Sequence, residues 1–509
     1  MKRIRYALML LLSLAALSCS DTKEPIDPVP PAPSLTLGDT MFRISSTAGE
    51  FAVHFTLANP LPGETLRVES AQEWIRIGEI GSDAFAFDVA ENVDRQRSGY
   101  LTVQYVGLAP QRVRIVQAAA GREEPETDQT VLFYLSGQSL LRYFRDTNVA
   151  EIRKVIEGGT TLCNSRVLVF IQPSVRESLL IEYAYDAPTR SCTADTLRRY
   201  SGLSSVRQED IVRVFCDMRE LAPANRYGLV MGSHGGGWVP AEYKNLNLSE
   251  DDSEQEWSLG ARRHGAADWL GRLPGADATR WFGENDYATA DIETWSAAFA
   301  EAAIGWEYAV FDACFMSNIE TLYELRHAAR YIVGSPCEIM GRGMPYATMM
   351  ADLFVDEGRS YDLEAFCRHF HEYYSTTTET RRSGCIALTV CSELDELARR
   401  MKEANGRLRP EADLSGLQIY EGLNRPLFFD LGQYVETVCA DEALAGAFRT
   451  QFDRTFPESH RLHTPSFYSG YNGRMNEIHT YSGVTTSAPS TKFPTAYAAT
   501  AWSRATAAE

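Results

Sequence analysis

Two short apolar segments constrain the fold of this chain most strongly. Residues 227–236 read YGLVMGSHGG and residues 308–317 read YAVFDACFMS. Both are rich in β-branched and aromatic residues, which predicts strands buried on both faces of a parallel sheet. Each run stops at a reactive side chain, His234 in one and Cys314 in the other. Since chemistry in open α/β sheets collects beyond the carboxyl ends of the strands, both residues are expected in a functional region.

The two side chains are suited to nucleophilic catalysis. A thiol becomes a nucleophile once an imidazole removes its proton, and the glycines at 235–237 keep side chains out of the space that a peptide backbone must enter. Taken singly, Cys314 would be an inert core residue and His234 a turn residue, because free cysteines are among the most buried residues. Their joint position at two strand ends favours a cysteine peptidase.

An acidic residue precedes the thiol by two positions. Alternation along a strand places Asp312 and Cys314 on the same side of the sheet. A buried carboxylate beside a thiol would raise the pKa of the thiol and oppose catalysis. Recognition of a basic substrate side chain is a reason to tolerate Asp312 there.

These residues resemble the clostripain-like cysteine peptidases, relatives of caspases, gingipains and legumains. The resemblance extends over roughly residues 127–505. Its most specific parts are GSHGGGW at Gly232–Trp238 and DACFMSNIE at Asp312–Glu320, and Thr130–Ile156 is similar to the family's first strand and helix. It implies an α/β fold with a caspase-like parallel sheet.

The resemblance also implies roles for individual residues. His234 would be the catalytic histidine and Cys314 the nucleophile, with the backbone amides of Gly235 and Cys314 as the oxyanion hole. Asp312 matches the acidic residue at the floor of the S1 pocket, which implies cleavage after Arg or Lys. Glu338 lies in GSPCEIMGRGMPY, a segment similar to the one that lines the S1 side, and is a candidate substrate contact.

A metal ion is not required by the spacing of any residues. The loop at 136–139 has Ser, Gly, Gln and Ser where the family commonly has an acidic, Asn-rich loop. Calcium is used by some clostripain relatives, and an acidic run at Ser249–Glu256 is able to bind it. We therefore expect no required cofactor, with calcium as a possible ligand.

A polar insert separates the histidine from the cysteine. Residues 241–293 contain the acidic run and then Arg262, Arg263, Arg272 and Arg280. One interpretation is a solvated surface loop. The alternative is a processing loop, because an enzyme that cuts after Arg or Lys would be able to cleave its own exposed insert and so mature.

The first twenty residues predict export. Basic residues at positions 2, 3 and 5 precede an apolar stretch at Ala7–Leu17 that is too short to span a membrane as a mature helix. The following Leu-Ser-Cys-Ser resembles a bacterial lipoprotein signal, so Cys19 would carry the lipid that attaches the protein to the bacterial cell envelope. The expected location is the outer membrane, facing the periplasm or the exterior. The alternative is an ordinary cleaved signal. Residues 20–34 are rich in proline, which predicts an extended tether.

Residues 35–118 have the rhythm of a small β-sandwich. Alternating runs separated by turn residues predict strands at Phe51–Leu57, Trp74–Ile77, Phe85–Val89, Tyr100–Tyr105 and Arg112–Val116. This region resembles the BACON domain of Bacteroidetes surface proteins through Trp74, the turn at Asn92–Gly99 and the closing Gln117. The resemblance implies carbohydrate binding, but its aromatic residues alternate as core residues do. A spacer module is therefore favoured over a glycan binder.

Composition agrees with this organisation. The predicted units are a signal at 1–19, a tether at 20–34, the sandwich at 35–118, a Glu-rich linker at 119–128 and a peptidase domain at 129–509. The net charge is −19, which disfavours nucleic acid and suits positively charged protein or peptide substrates. The sequence has no HExxH, GxSxG, P-loop or Rossmann motif. A catalytically silent lipoprotein that binds glycan or peptide is the alternative function.

Overall fold

The computed structural model describes residues 31–38, 41–136, 142–158, 162, 164–174, 176–186, 189, 191–240, 289–355, 360–423 and 425–508. Three features of the sequence lie outside these residues. They are the leader with Cys19, the loop at 137–139, and the greater part of the insert, including its acidic run and its four arginines.

The N-terminal region is all β. Its strands, as far as residues 31–118 are described, form two sheets with the orders β1-β3-β6-β5 and β2-β8-β7-β4. The strands are β1 (Ser34–Leu37), β2 (Met41–Ile44), β3 (Gly49–Ala58), β4 (Arg67–Glu69), β5 (Ile75–Ile80), β6 (Ala84–Val89), β7 (Arg97–Gln104) and β8 (Gln111–Gln117). Apolar residues from both sheets share one core, among them Val53, Phe87 and Val113. The predicted sandwich is therefore present, and its five predicted runs fall on β3 and β5–β8.

A large mixed sheet forms the centre of the remaining chain. Its order in the described residues is β12-β11-β10-β9-β13-β14-β15-β16-β18. The five strands from β10 to β15 in this order are parallel neighbours, and the outer pairs are antiparallel. The strands are β9 (Gln129–Leu135), β10 (Ser165–Ser174), β11 (Glu177–Asp186), β12 (Ser191–Ser201), β13 (Arg226–Gly232), β14 (Trp306–Asp312), β15 (Ala329–Gly334), β16 (Cys385–Val390) and β18 (Leu462–His463). Two small pairings, β17 (Phe429–Asp430) with β21 (Thr485–Thr486) and β19 (Ser466–Ser469) with β20 (Arg474–Glu477), lie outside this sheet.

Helices cover both faces of the large sheet. They are α1 (Arg142–Glu157), α2 (Gln208–Leu221), α3 (Ile292–Ala302), α4 (Ile319–Glu324), α5 (Tyr346–Met349), α6 (Leu363–Thr376), α7 (Leu394–Asn405), α8 (Leu431–Val438), α9 (Glu442–Thr455), α10 (Pro494–Ala499) and α11 (Ala501–Thr506). Short 3-10 helices occupy Met350–Leu353, Cys391–Glu393 and Glu458–His460.

Alternate side chains of the central strands pack into two separate hydrophobic cores, one on each face of the sheet. Leu229 and Phe311 face the core that contains α2, α3, α4 and α7. Val230 and Val310 face the core that contains α1, α5 and α6. Strands β13 and β14 are thus buried on both faces, as the sequence predicts. The α/β fold preceded by an all-β sandwich is confirmed.

Two further observations concern the described residues alone. Their cysteines are free thiols: Cys192, Cys216, Cys314, Cys337, Cys367, Cys385, Cys391 and Cys439. None of their helices combines the length and the apolar character needed to cross a bilayer.

Candidate active site

Neighbouring parallel strands bring the two reactive residues to the same edge of the sheet. Gly232, the last residue of β13, pairs with Asp312, the last residue of β14. His234 and Cys314 each follow two positions later. The amide of Ser233 donates a hydrogen bond to the carbonyl oxygen of Asp312 at 3.4 Å, which carries the strand pairing into the two loops.

Glycines let the histidine loop pack directly on the cysteine loop. A Cβ atom at Gly235 would lie 2.0 Å from the carbonyl oxygen of Cys314 and 2.8 Å from its amide nitrogen. Gly237 has a φ of +62°, and a Cβ atom there would lie 2.6 Å from the side-chain nitrogen of Asn318. Only glycine permits this approach of two backbones.

The turn after Cys314 has an unusual backbone conformation. Phe315 has a φ of +56°, in the left-handed region that a non-glycine residue seldom adopts. Its amide donates to the carbonyl oxygen of Cys337 at 3.1 Å, and its ring stacks on Phe428 with 4.8 Å between centroids. Residues held in such conformations cluster at functional sites because the surrounding structure must fix them.

The Cys314 thiol lies against the segment that follows β15. The amide of Ile339 donates a hydrogen bond to Sγ of Cys314 at 3.3 Å, and this Sγ lies 3.8 Å from the carbonyl oxygen of Ile339. Cys314 is 0% exposed and His234 is 4% exposed. A peptide bond cannot reach a fully buried sulfur atom, so the described conformation is closed.

Asp312 is buried beneath the same segment. Its Oδ1 accepts a hydrogen bond from the amide of Met344 at 3.0 Å. Its Oδ2 accepts from the hydroxyl of Tyr346 at 2.9 Å and from the side-chain amide of Asn148 at 3.2 Å. These donors come from α1 and from the chain around α5, and they fix the orientation of the carboxylate.

Glu338, the other predicted substrate contact, is 2% exposed. Its Oε2 accepts a hydrogen bond from the amide of Gly470 at 2.9 Å, so it holds a distant part of the chain in place. Glu421 and Lys492 lie near it and are also buried. Burial raises the pKa of Glu421 to about 8, and the negative charge of Glu338 raises this pKa further. Hydrogen bonds from the amides of Leu427 and Phe428 and the positive charge of Lys492 oppose the increase in pKa.

The sequence does not predict several contacts of the site. The backbone of Ile339 against the thiol and the donors from Asn148 and Tyr346 depend on tertiary packing. The amide of Asn148 on an otherwise amphipathic helix was an available signal. No group of histidine, cysteine and acidic residues suited to a metal ion occurs in the described part of the chain, and calcium binding by the acidic run stays a prediction.

Comparison with known proteins places this geometry in a family. The model of the clostripain family, peptidase C11, matches residues 284–440, which include Asp312 and Cys314. The crystal structure of a secreted C11 cysteine protease of Bacteroides thetaiotaomicron, named iotapain, is 32% identical, with a TM-score of 0.63. The alignment covers 75% of this chain and 99% of that one. The chain belongs to the clostripain family of cysteine peptidases.

Two more distant structures of clostripain-family peptidases share the fold. A zymogen from Parabacteroides distasonis, described as inactive, is 24% identical with a TM-score of 0.60, covering 75% of this chain and 99% of that chain. A secreted protease of B. thetaiotaomicron in complex with an irreversible peptide inhibitor is 22% identical with a TM-score of 0.59, covering 74% and 98%. No curated protein matches the sequence.

Proposed function

We propose that the chain is a cysteine endopeptidase that cleaves after Arg or Lys, with Cys314 as nucleophile and His234 as general base. The observation that carries the proposal is the packing of the two loops. His234 and Cys314 follow paired strand ends, and Gly235 lies directly on the backbone of Cys314. A buried thiol with a structural role alone does not need a facing glycine loop that carries an imidazole.

The residues support a two-step acyl transfer. His234 removes the proton of Cys314, and the thiolate attacks the carbonyl carbon of the scissile bond. The amides of Gly235 and Cys314 would stabilise the resulting oxyanion. His234 returns the proton to the departing amine, which leaves a thioester at Cys314. Water, deprotonated by His234, hydrolyses the thioester and releases the acid.

Specificity for a basic residue rests on Asp312. It lies at the position that the family resemblance assigns to the S1 floor, and its carboxylate is fixed by three donors at 2.9–3.2 Å. The segment that supplies two of those donors also contacts the nucleophile through Ile339. The acidic net charge of −19 favours the approach of basic substrates. Glu338 stays a proposed contact from the same segment.

Maturation by self-cleavage in the insert is part of the proposal, and the closed conformation supports it. His234 and Cys314 are both buried, so substrate access requires a rearrangement. The insert begins at residue 241, soon after the histidine loop. It contains four arginines after which the proposed peptidase would cut. Its acidic run is also the proposed position for calcium.

The N-terminal part would hold the enzyme at the cell envelope. The sequence of the leader supports lipidation at Cys19. Export is also consistent with the related iotapain structure, which is that of a secreted protease. In the sandwich, the guanidinium of Arg97 lies 4.4 Å from the ring centroid of Trp74 and covers it, which favours a spacer over a glycan platform. Cys19→Ala should move the protein from the membrane fraction to the soluble fraction; unchanged membrane association would exclude lipidation. Retention of the isolated chain on polysaccharide gels would argue against the spacer role.

Hydrolysis of fluorogenic peptides tests the function. The chain from residue 20 onward is assayed with peptides ending in Arg, Lys, Asp or Leu, with and without calcium and after nicking by trypsin. Turnover after Arg or Lys that Cys314→Ala abolishes is the expected result. Turnover after Asp or Leu would reject the role of Asp312. No turnover under any condition would favour the binding lipoprotein.

A further inference from the structure

A buried polar chain joins the histidine loop to the helix that follows the nucleophile. The indole nitrogen of Trp238 donates a hydrogen bond to the hydroxyl oxygen of Ser487 at 2.8 Å. The amide of Ser487 donates to Oε1 of Glu320 at 2.9 Å, and so does the hydroxyl of Thr486. Glu320 lies in α4, directly after the cysteine loop. Trp238, Ser487 and Glu320 are each at most 4% exposed.

The segment at 483–488, called here the closing segment, also binds the cysteine loop itself. The hydroxyl of Ser317 donates to the carbonyl oxygen of Gly483 at 2.8 Å. The amide of Thr485 donates to the carbonyl oxygen of Ser317 at 3.0 Å. One segment from the C-terminal region therefore contacts both loops of the candidate active site.

We propose that Ser487 is a positioning residue that fixes the histidine loop relative to Cys314 through Trp238. This inference rests on the proposed function. Three consecutive glycines separate His234 from Trp238, and glycine has the greatest backbone freedom of any residue. Such a loop is positioned by its contacts. Gly235 supplies one through Cys314, and Trp238 supplies a polar one at the far end of the loop, through Ser487.

Packing contacts of the Trp238 ring also hold the end of the histidine loop in place. Its ring contacts Tyr497 edge to face with 5.8 Å between centroids. It shares an apolar cluster with Cys314 and Phe315. Movement of the indole would therefore disturb both the end of the histidine loop and the surroundings of the nucleophile.

A double-mutant cycle tests the inference in the chain from residue 20 onward. Ser487→Ala and Trp238→Phe are each expected to lower kcat about tenfold and to change KM by less than about twofold. The double variant should lose little more activity than either single variant, because both substitutions remove the same hydrogen bond. The acid limb of the pH profile of kcat/KM should move upward by about half a pH unit, since a less well placed imidazole stabilises the thiolate less.

Ser482→Ala is the matched control. Ser482 lies one residue before the closing segment, and its hydroxyl donates to the carbonyl oxygen of Val484 and accepts from the amide of Gly432. It should leave kcat within about twofold and combine additively with Trp238→Phe. Wild-type kcat and an unmoved pH profile in Ser487→Ala, with an active wild-type enzyme, would overturn the inference. An inactive wild-type enzyme would instead reject the proposed function.

Discussion

Gly235 is the residue at which the histidine loop and the cysteine loop come closest. Its substitution by alanine places a methyl group 2.0 Å from the carbonyl oxygen of Cys314, and a shift of either backbone would disturb the proposed oxyanion hole. We expect Gly235→Ala to lower kcat/KM at least about 100-fold, and to reduce the free energy of unfolding by about 1–3 kcal/mol, the usual cost of overpacking. Steady-state kinetics and thermal unfolding measure the two effects.

Gly305→Ala is the control for this substitution. It lies before β14, and a Cβ atom there would have no neighbour within 4 Å. Its activity and stability should remain near wild type. If Gly235→Ala kept more than about a third of wild-type kcat/KM, the proposed close contact of the loops would not exist in the active enzyme.

At the scale of single residues, the sequence predicts the reactive side chains but not the hydrogen bonds that depend on tertiary packing. Reactive side chains that follow apolar runs predict His234 and Cys314 as the catalytic pair, and the structure brings their two loops together. The hydrogen bond between Trp238 and Ser487 joins residues far apart in sequence, and nothing local distinguishes that serine from its neighbours. Asn148 contacts Asp312 only because α1 packs near the end of β14.

At the scale of elements, α4 carries a buried acid that makes stability depend on pH. Burial raises the pKa of Glu320 from 4.5 to about 7, although hydrogen bonds from Ser487 and Thr486 oppose the shift. Between these values the folded chain keeps a proton that the unfolded chain loses, so the free energy of unfolding falls as pH rises, by up to about 3 kcal/mol. Above about pH 7 this contribution no longer changes.

Glu320→Gln should remove that part of the pH dependence. Its Oε1 accepts both hydrogen bonds and its Oε2 has no hydrogen-bond partner, so an amide is able to replace the protonated acid. Between pH 5 and pH 8 the unfolding temperature of the variant should fall less than that of wild type, by about a few degrees. Substitution of the exposed Glu220 by glutamine should leave the wild-type dependence. Equal falls in Glu320→Gln and wild type would show that Glu320 ionises normally.

The prediction of elements succeeded where local pattern decides structure. The central strands β13 and β14 are continuous apolar runs, and the longer strands of the sandwich alternate. Short strands such as β4, with three residues, contain too little pattern to recognise. The pairing of β21 with β17, which shapes the closing segment, depends on residues about 55 positions apart and has no sequence signal.

At the scale of the whole molecule, the predicted linker is attached on both sides. The carbonyl oxygen of Glu126 accepts hydrogen bonds from Gln96 of the sandwich at 3.1 Å and from Asn164 beside β10 at 2.6 Å. Arg43 of β2 donates to the carbonyl oxygen of Pro125 at 2.5 Å. A Glu-rich composition predicts a solvated connection, whereas these contacts hold the chain between the two regions in place.

Activation is expected to require cleavage of the insert. The active chain, incubated alone, should convert to two fragments with a lag before full peptidase activity, because the buried thiol becomes accessible after the cut. Cys314→Ala should remain a single chain, and so should a variant with alanine at every basic position of the insert, which are 244, 262, 263, 272 and 280. Intact mass spectrometry locates the cut, and active-site labelling by a peptide chloromethyl ketone follows the accessibility of Cys314.

Trypsin separates the two requirements of this prediction. Added to Cys314→Ala, it should cut the insert at the same arginines without producing peptidase activity, which shows that the cut alone is insufficient. The variant with alanine at the five basic positions of the insert should be labelled slowly and hydrolyse little substrate. Full activity of that variant as an unbroken chain would mean that substrate, rather than cleavage, opens the site around His234 and Cys314, and the insert would then be a surface loop.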